Sequence, residues 1–319
     1  CDQPPVANRV AVARGDVCQP MLGLAEDEYR VLAAEVTHIV HCAGNVKLNQ
    51  SLDDARHSAF DSARNIVEFA RACQQHGRLQ KLDVVSTIGV AGRMPGLIPE
   101  RQLTEPREFH NTYEQAKAEA EDYLFDELDR GLPLTIHRPS MVVGRSDNGR
   151  IRQFQVFYHL CDLLSGKKTW GFVVDTGDAT LDIVPVDYVA RALFLSSHSA
   201  ETIGRVFHLC SGPEGAVPLG ELSRRARQVA EADGDRLPRL KRVSPRTFRL
   251  AVAAAGPMVP GRAGRMLRSL PYFLAYLGRK QGFSVEKTAR WLAQSGVQPT
   301  GEGRLVERTL RYRNQSAKA

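Results

Sequence analysis

Thr37-His-Ile-Val-His-Cys42, the run Asp53 to Gln75, and Leu82-Asp-Val-Val-Ser86 together decide the fold. The two short segments are largely apolar and β-branched without a clean alternation, the pattern of strands covered on both faces of a parallel sheet. Between them Ala59, Ala63, Ile66, Val67 and Ala70 fall on one face of a helix, and Gly77 supplies its stop. Strand, helix and strand make one βαβ step with a right-handed crossover.

Working outward, a loop through Gly92, Pro95, Gly96 and Pro99 leads to a helix from about Asn111 to Asp129, closed by Gly131. Leu134 to His137 forms the next strand. Leu181–Val184 and Val206–Leu209 read as further strands, with helices over Val186–Ser197 and Leu219–Ala232. Towards the N-terminus, Glu26–Ala34 reads as a helix, and Arg9–Arg14 alternates like a strand stopped by Gly15-Asp16. Alternation of strand and helix without hairpin signals implies an α/β fold, a doubly wound parallel sheet covered on both faces. From about Pro238 the chain is rich in Arg, Pro and Gly and reads as a small, mostly helical cap.

The 319 residues, 43% hydrophobic and 25% charged, have the composition of a globular domain. The longest apolar stretch, Leu250–Val259, is broken by Gly256 and Pro257 and falls short of the ~20 residues that cross a bilayer. Cys1 and the polar and proline residues after it form no export signal, so a cytoplasmic location is expected. Cys1, Cys18, Cys42, Cys73, Cys161 and Cys210 form no CxxC pair and join no histidine at ligand spacing, which indicates neither a disulfide frame nor a metal site. The net charge of +7 leaves nucleic acid, an anionic membrane or an acidic substrate or carrier as partner classes. No nucleic-acid motif accompanies the charge, so nucleic acid is not expected.

Tyr113-Glu-Gln-Ala-Lys117 lies on the predicted Asn111–Asp129 helix, so the two side chains project from one face. A phenol near pKa 10 is a poor acid at neutral pH, whereas a nearby ammonium favours its ionised form and lets it shuttle a proton to a carbonyl oxygen. A core tyrosine with a solvated lysine would show the same spacing. Thr87 sharpens the reading: it ends the Leu82–Ser86 strand, on the edge where open α/β sheets hold ligands, and its hydroxyl can hydrogen-bond a carbonyl.

Gly15-Asp16-Val17, His41-Cys42-Ala43-Gly44, Val85-Ser86-Thr87, Tyr113 with Lys117, and Arg138-Pro139-Ser140 with Gly144 follow in an order and spacing that resemble the extended short-chain dehydrogenase/reductases. Pro20-Met-Leu-Gly-Leu24, with Tyr29 and Leu32, is similar to the thioester-reductase and fatty-acyl-CoA-reductase branch once named after male-sterility proteins. The likeness runs from about Arg9 to Gly212. It implies a Rossmann-like domain over residues 1–212, with 145–180 contributing to the substrate region, and a basic helical substrate cap over 213–319.

It also implies roles. Thr87 orients the carbonyl, Tyr113 donates the proton, and Lys117 lowers the tyrosine pKa and holds the nicotinamide ribose. Asp16 and Val17 meet the adenine, Ala43 and Gly44 pass along the middle of the cofactor, and Pro139, Ser140 and Val142 line its nicotinamide end. The cofactor is NADP or NAD, with NADPH favoured, and the substrate an acyl thioester on CoA or an acyl carrier protein, or the derived aldehyde.

Two departures stand out. No Gly-rich turn precedes Gly15, so the resemblance implies that the first βα units and the phosphate cradle have been lost. Ala59 stands where the family usually has an asparagine.

Asp182 and Asp187 could form a carboxylate pair, although Asp187 reads better as a partner of the following helix N-terminus. His41 reads as a packed strand residue. Arg262, Arg265 and Arg268 recur beside Met266, Leu267, Leu270, Tyr272, Phe273 and Leu277 as a basic amphipathic segment. In a reductase of this kind the cap would take an acyl chain on its apolar side and an anionic carrier on its basic side. Peripheral membrane contact and simple solvated charge are the competing readings of the same segment. A sugar-nucleotide epimerase or dehydratase of the same fold, and a non-catalytic cofactor-sensing protein, are the rival functions.

Overall fold

The computed structural model of the chain describes residues 10–248, 250, 281–298 and 302–316. After a tight turn at Pro20–Gly23, α1 (Glu26–Glu35) leads into β1 (His38–His41). A continuous helical run follows, made of α2 (Leu52–Arg56), a π turn at His57–Asp61 and α3 (Ser62–Gln75). Next come β2 (Lys81–Val85), β3 (Gly96–Ile98), α4 (Thr112–Asp129), β4 (Leu134–Pro139) and β5 (Met141–Val143). The second half holds α5 (Val156–Leu164), β6 (Phe172–Val174), β7 (Thr180–Leu181), β8 (Ile183–Pro185), α6 (Val186–Ser197) and β9 (Val206–Leu209). β10 (Val217–Pro218), α7 (Leu219–Ala232), β11 (Lys241–Val243), β12 (Gln281–Phe283), α8 (Glu286–Ala293) and α9 (Glu302–Ser316) complete it.

Four strands form the central sheet in the order β1-β2-β4-β9, all parallel. Ile39, Leu82, Val84, Leu134 and Ile136 pack on one face against Ile66, Phe69 and Ala70 of α3 and Leu124 of α4. Phe207 on the other face stacks on Trp291 of α8 at 4.7 Å and joins Tyr188 and Ala192 of α6. Helices therefore cover both faces, as strands buried on two sides require. A separate apolar core forms between α5, α7 and α9, from Phe157, Leu160, Leu164, Leu222, Val229, Leu305 and Leu310.

The predicted helices over Val186–Ser197 and Leu219–Ala232 and the strand over Val206–Leu209 are observed at those bounds. The Asp53–Gln75 helix forms with a π turn inside it. Residues 10–14 are not a strand: no strand among the described residues pairs with them, and Val10 and Val12 are 59% and 90% exposed. An extended segment with no ladder partner gains nothing to offset its ordering. Leu181–Val184 divides into β7 and β8 around Asp182, because β7 pairs antiparallel with β10 while β8 pairs parallel with β5. The basic segment containing Arg262, Arg265 and Arg268 lies outside the described residues. None of the helices among the described residues is long and apolar enough to cross a membrane.

Two buried polar clusters hold helices to the sheet. At the N-terminal end of β2, the Lys81 ammonium donates to Ser196 Oγ (2.9 Å) and Ser199 O (3.0 Å) and stands 3.6 Å from Asp83, fixing α6. Beyond β3, Glu100 accepts from the backbone amides of Lys287 (2.7 Å), Thr288 (3.0 Å) and His208 (3.3 Å). A carboxylate there satisfies the orphan amides of the first turn of α8 and suits its dipole. Glu100→Ala is expected to lower stability by about 1–3 kcal/mol, because it leaves buried amides unpaired. A chemical-denaturation midpoint unchanged from wild type would contradict this.

Candidate active site

Val85 ends β2, and the chain leaves the sheet through Ser86 and Thr87. Thr87 is extended (φ −158°, ψ 152°), and its hydroxyl accepts from the Gly89 amide at 3.1 Å, which caps the turn Ile88–Ala91 and fixes the rotamer. A side chain at Gly89 would press on Glu114 Cγ at 3.1 Å and on the Thr87 hydroxyl at 3.4 Å, so glycine there lets α4 approach β2.

Asn111 caps α4, its Oδ1 accepting from the Glu114 amide at 3.0 Å. That start puts Tyr113 in the first turn, with its phenol toward Thr87. Lys117, one turn on, donates to the Val85 carbonyl at 3.1 Å. Residues far apart in sequence thus converge at the C-terminal end of β2.

Burial pushes the Tyr113 phenol up to about 12, with Thr87 opposing the shift and Glu114 adding to it. The sequence led us to expect Lys117 to make this phenol more acidic; in the folded chain loss of water outweighs any such effect. Lys117 is pulled down to about 8 by the same burial, against the pull of Glu121. Burial and then the Lys117 charge lower His41 to about 4. At neutral pH the phenol holds its proton, most Lys117 is charged, and His41, packed in β1 as expected, is neutral.

A cavity of about 920 Å³ opens over this group. Thr87, Tyr113 and Lys117 line it together with Ala43, Gly44, Pro139, Ser140 and Val142, so these eight predicted residues share one space. Asp16 and Val17 do not line it. Asp16 Oδ1 accepts from the Cys18 amide (2.9 Å), and Val17 O accepts from Asn65 of α3 (2.9 Å). Gly15 is needed in this turn, since a Cβ there would meet Leu22 O at 2.4 Å.

Ala59, in the π turn, also lines the cavity and packs on Ala55 and Ala116. No atom stands within 4 Å of the point a Gly44 side chain would occupy. Small residues at 43, 44 and 59 thus leave open space beside the half-buried Lys117 ammonium at the strand ends. Leu160 of α5, Leu181 of β7 and Leu219 of α7 add apolar surface to the same cavity.

Several site groups escaped the sequence reading. His110 and Glu114 line the cavity, the Glu114 carboxylate accepting from the His110 amide at 2.9 Å and lying 3.0 Å from its Nδ1. Their only signal was an acid adjoining the tyrosine. Asp182 accepts from the amides of Ser211 and Gly212, both at 2.9 Å, and so anchors a cavity wall. Asp187, in the first turn of α6, caps no amide of that helix; it accepts from the Ser146 amide (2.8 Å) and hydroxyl (2.5 Å) and so ties the loop after β5 to α6. Beneath Lys117, Glu121 and Arg138 form a buried ion pair.

Residues 2–193 match the family model described as Male sterility protein. The terminal R domain from the myxalamid PKS-NRPS biosynthetic pathway is a similar solved structure, with TM-score 0.79 and 26% identity, covering 98% of this chain and 77% of that one. The reductase (R) domain of a nonribosomal peptide synthetase from Mycobacterium tuberculosis has the same fold, with TM-score 0.70 and 18% identity over 98% of this chain and 76% of that one. Isonitrile lipopeptide synthase of Streptomyces coeruleorubidus is 29% identical over 188 residues, which are 58% of this chain and 12% of that protein. The chain spans a fifth or less of the length of the first curated relatives it matches.

Proposed function

The chain belongs to the male sterility protein family of NAD(P)-dependent oxidoreductases, and from that premise we propose that it reduces an acyl thioester, or the aldehyde derived from it, with Thr87, Tyr113 and Lys117 as its working groups. The observation that carries this reading is the meeting of those three side chains at the mouth of β2, in one cavity with Ala43, Gly44 and Pro139.

Lys117, with Pro139, Ser140 and Val142 across the cavity, would hold the nicotinamide riboside, and Ala43 and Gly44 would flank the middle of the cofactor. Bound NADPH supplies the hydride that reaches the carbonyl carbon. Thr87 and Tyr113 together grip the carbonyl oxygen, and the phenolic proton of Tyr113 passes to that oxygen as charge develops there. From a thioester this gives a hemithioacetal, whose collapse releases a carrier thiol and leaves an aldehyde. The apolar lining from Leu160, Leu181 and Leu219 suits an acyl tail, and the exposed Arg236, Arg239, Arg242 and Arg246 suit an anionic carrier.

Loss of nicotinamide absorbance on adding acyl-CoA, with aldehyde or alcohol appearing in step, tests the activity; NADPH left unconsumed by both a thioester and an aldehyde would overturn it. The pH dependence follows from two shifts. Lys117, lowered to about 8, keeps its ammonium below that pH and loses it above, whereas Tyr113, raised to about 12, stays protonated throughout. The kcat/KM of reduction should therefore be level near neutrality and fall about tenfold per pH unit above about 8. A profile with no alkaline limb until the phenol ionises would assign the dependence to Tyr113 instead.

A further inference from the structure

Glu121 lies one turn beyond Lys117 on α4 and is buried at 2% exposure. Its carboxylate accepts from the Ser86 hydroxyl at 2.6 Å and from Arg138 Nε at 3.1 and 3.2 Å, with a further bond from Arg138 Nη2. Arg138, on β4 and fully buried, reaches His208 Nε2 on β9 at 3.3 Å. His208 Nδ1 stands 2.8 Å from the Ser284 carbonyl, just past β12, so Nδ1 carries the proton and Nε2 accepts from the guanidinium. One hydrogen-bonded line thus runs from the residue preceding Thr87, through the helix bearing Tyr113 and Lys117, to the β12 segment that forms a cavity wall.

We infer that Glu121, held by Arg138, is a positioning residue for the proposed reduction: it fixes the Ser86–Thr87 turn against α4 and sets a buried carboxylate one helical turn from the Lys117 ammonium. The inference rests on the reductase reading. A carboxylate is needed here rather than any polar group, because it must take Ser86 and a forked guanidinium together while opposing a second cation within one helical turn. His41 from β1 lies within electrostatic reach of Lys117, and Tyr113, Glu114, His110, Cys42, Asp178 and Asp182 line the same cavity. Of these the three carboxylates remain when Glu121 is replaced, and His41 is neutral at the pH of interest, so a changed Lys117 titration reports Glu121.

The test uses the full chain with lysines carbon-labelled at Cε and compares Glu121→Gln with wild type. The Lys117 midpoint, assigned through Lys117→Met, should fall by about one unit, and the alkaline limb of kcat/KM should move with it. The kcat should fall about tenfold with KM for the carbonyl substrate changed less than about twofold. Because Glu121→Gln leaves Arg138 with a poorer partner and can fail to fold, Glu121→Leu/Arg138→Met removes both charges at similar volume. That double variant should fold and still show the slow turnover, since the carboxylate that holds Ser86 is gone. Wild-type kcat in the double variant would overturn the inference and reduce the pair to packing. A chain inactive on all carbonyl substrates but showing the Lys117 shift would sink the reductase reading and leave the electrostatic role of Glu121 standing.

Discussion

Replacing Tyr113 by Phe is expected to lower kcat for carbonyl reduction about 10²- to 10⁴-fold while leaving the fold and the affinity for NADPH near wild type. The ring stays and only the hydroxyl goes, so packing in the first turn of α4 changes little. Thr87, toward which the phenol points, keeps its own bond from the Gly89 amide in the variant. What is lost is the phenolic proton, kept at neutral pH because burial has pushed the phenol up to about 12. Single-turnover rates at saturating substrate separate this from binding: a fall in the chemical step with an unchanged half-saturation fits a proton donated in the transition state. Equal single-turnover rates would remove Tyr113 from the mechanism.

Arg138→Met should cost about 3–5 kcal/mol of stability, the largest effect expected of any substitution away from the cavity. Arg138 is completely buried and its partner Glu121 nearly so, hence the variant strands a carboxylate with only Ser86 and the helix around it. Removing both partners should recover most of the loss, since desolvating two charges nearly cancels their attraction. Urea unfolding of Arg138→Met and of Glu121→Leu/Arg138→Met measures the difference. Losses that simply add in the double variant would mean that the two side chains do not act as a pair.

Much of the sheet was legible because its strands are buried on both faces and so announce themselves as short apolar runs. β1 and β2 fall within Thr37–Cys42 and beside Leu82–Ser86, and the helix carrying Tyr113 and Lys117 starts at its Asn111 cap as the spacing predicted. The convergence of Thr87 with that helix was legible too, since strand ends at a sheet edge must face the following helix N-terminus. Other features depend on what lies across space rather than along the chain. Val10 and Val12 alternate correctly for a strand but meet no neighbour to pair with. The division of Leu181–Val184 is imposed by two different partner strands, and Asp182, read as one of a carboxylate pair, is held by amides thirty residues on. Sequence placed an ammonium near a phenol but not the depth of their burial, and burial decides both of their proton affinities. Nothing along the sequence marks Glu121 as buried, and only the packing of α4 on the sheet shows that it pairs with Arg138 out of water.

The most direct test of the central claim is a structure of the chain with NADP and a non-reducible carbonyl analogue bound. The carbonyl oxygen should lie within hydrogen-bond reach of both the Tyr113 and Thr87 hydroxyls, with the reactive carbon of the nicotinamide facing the carbonyl carbon and Lys117 on the nicotinamide ribose. A nicotinamide ring seated away from the C-terminal end of β2, with Tyr113 and Thr87 contacting neither molecule, would contradict it.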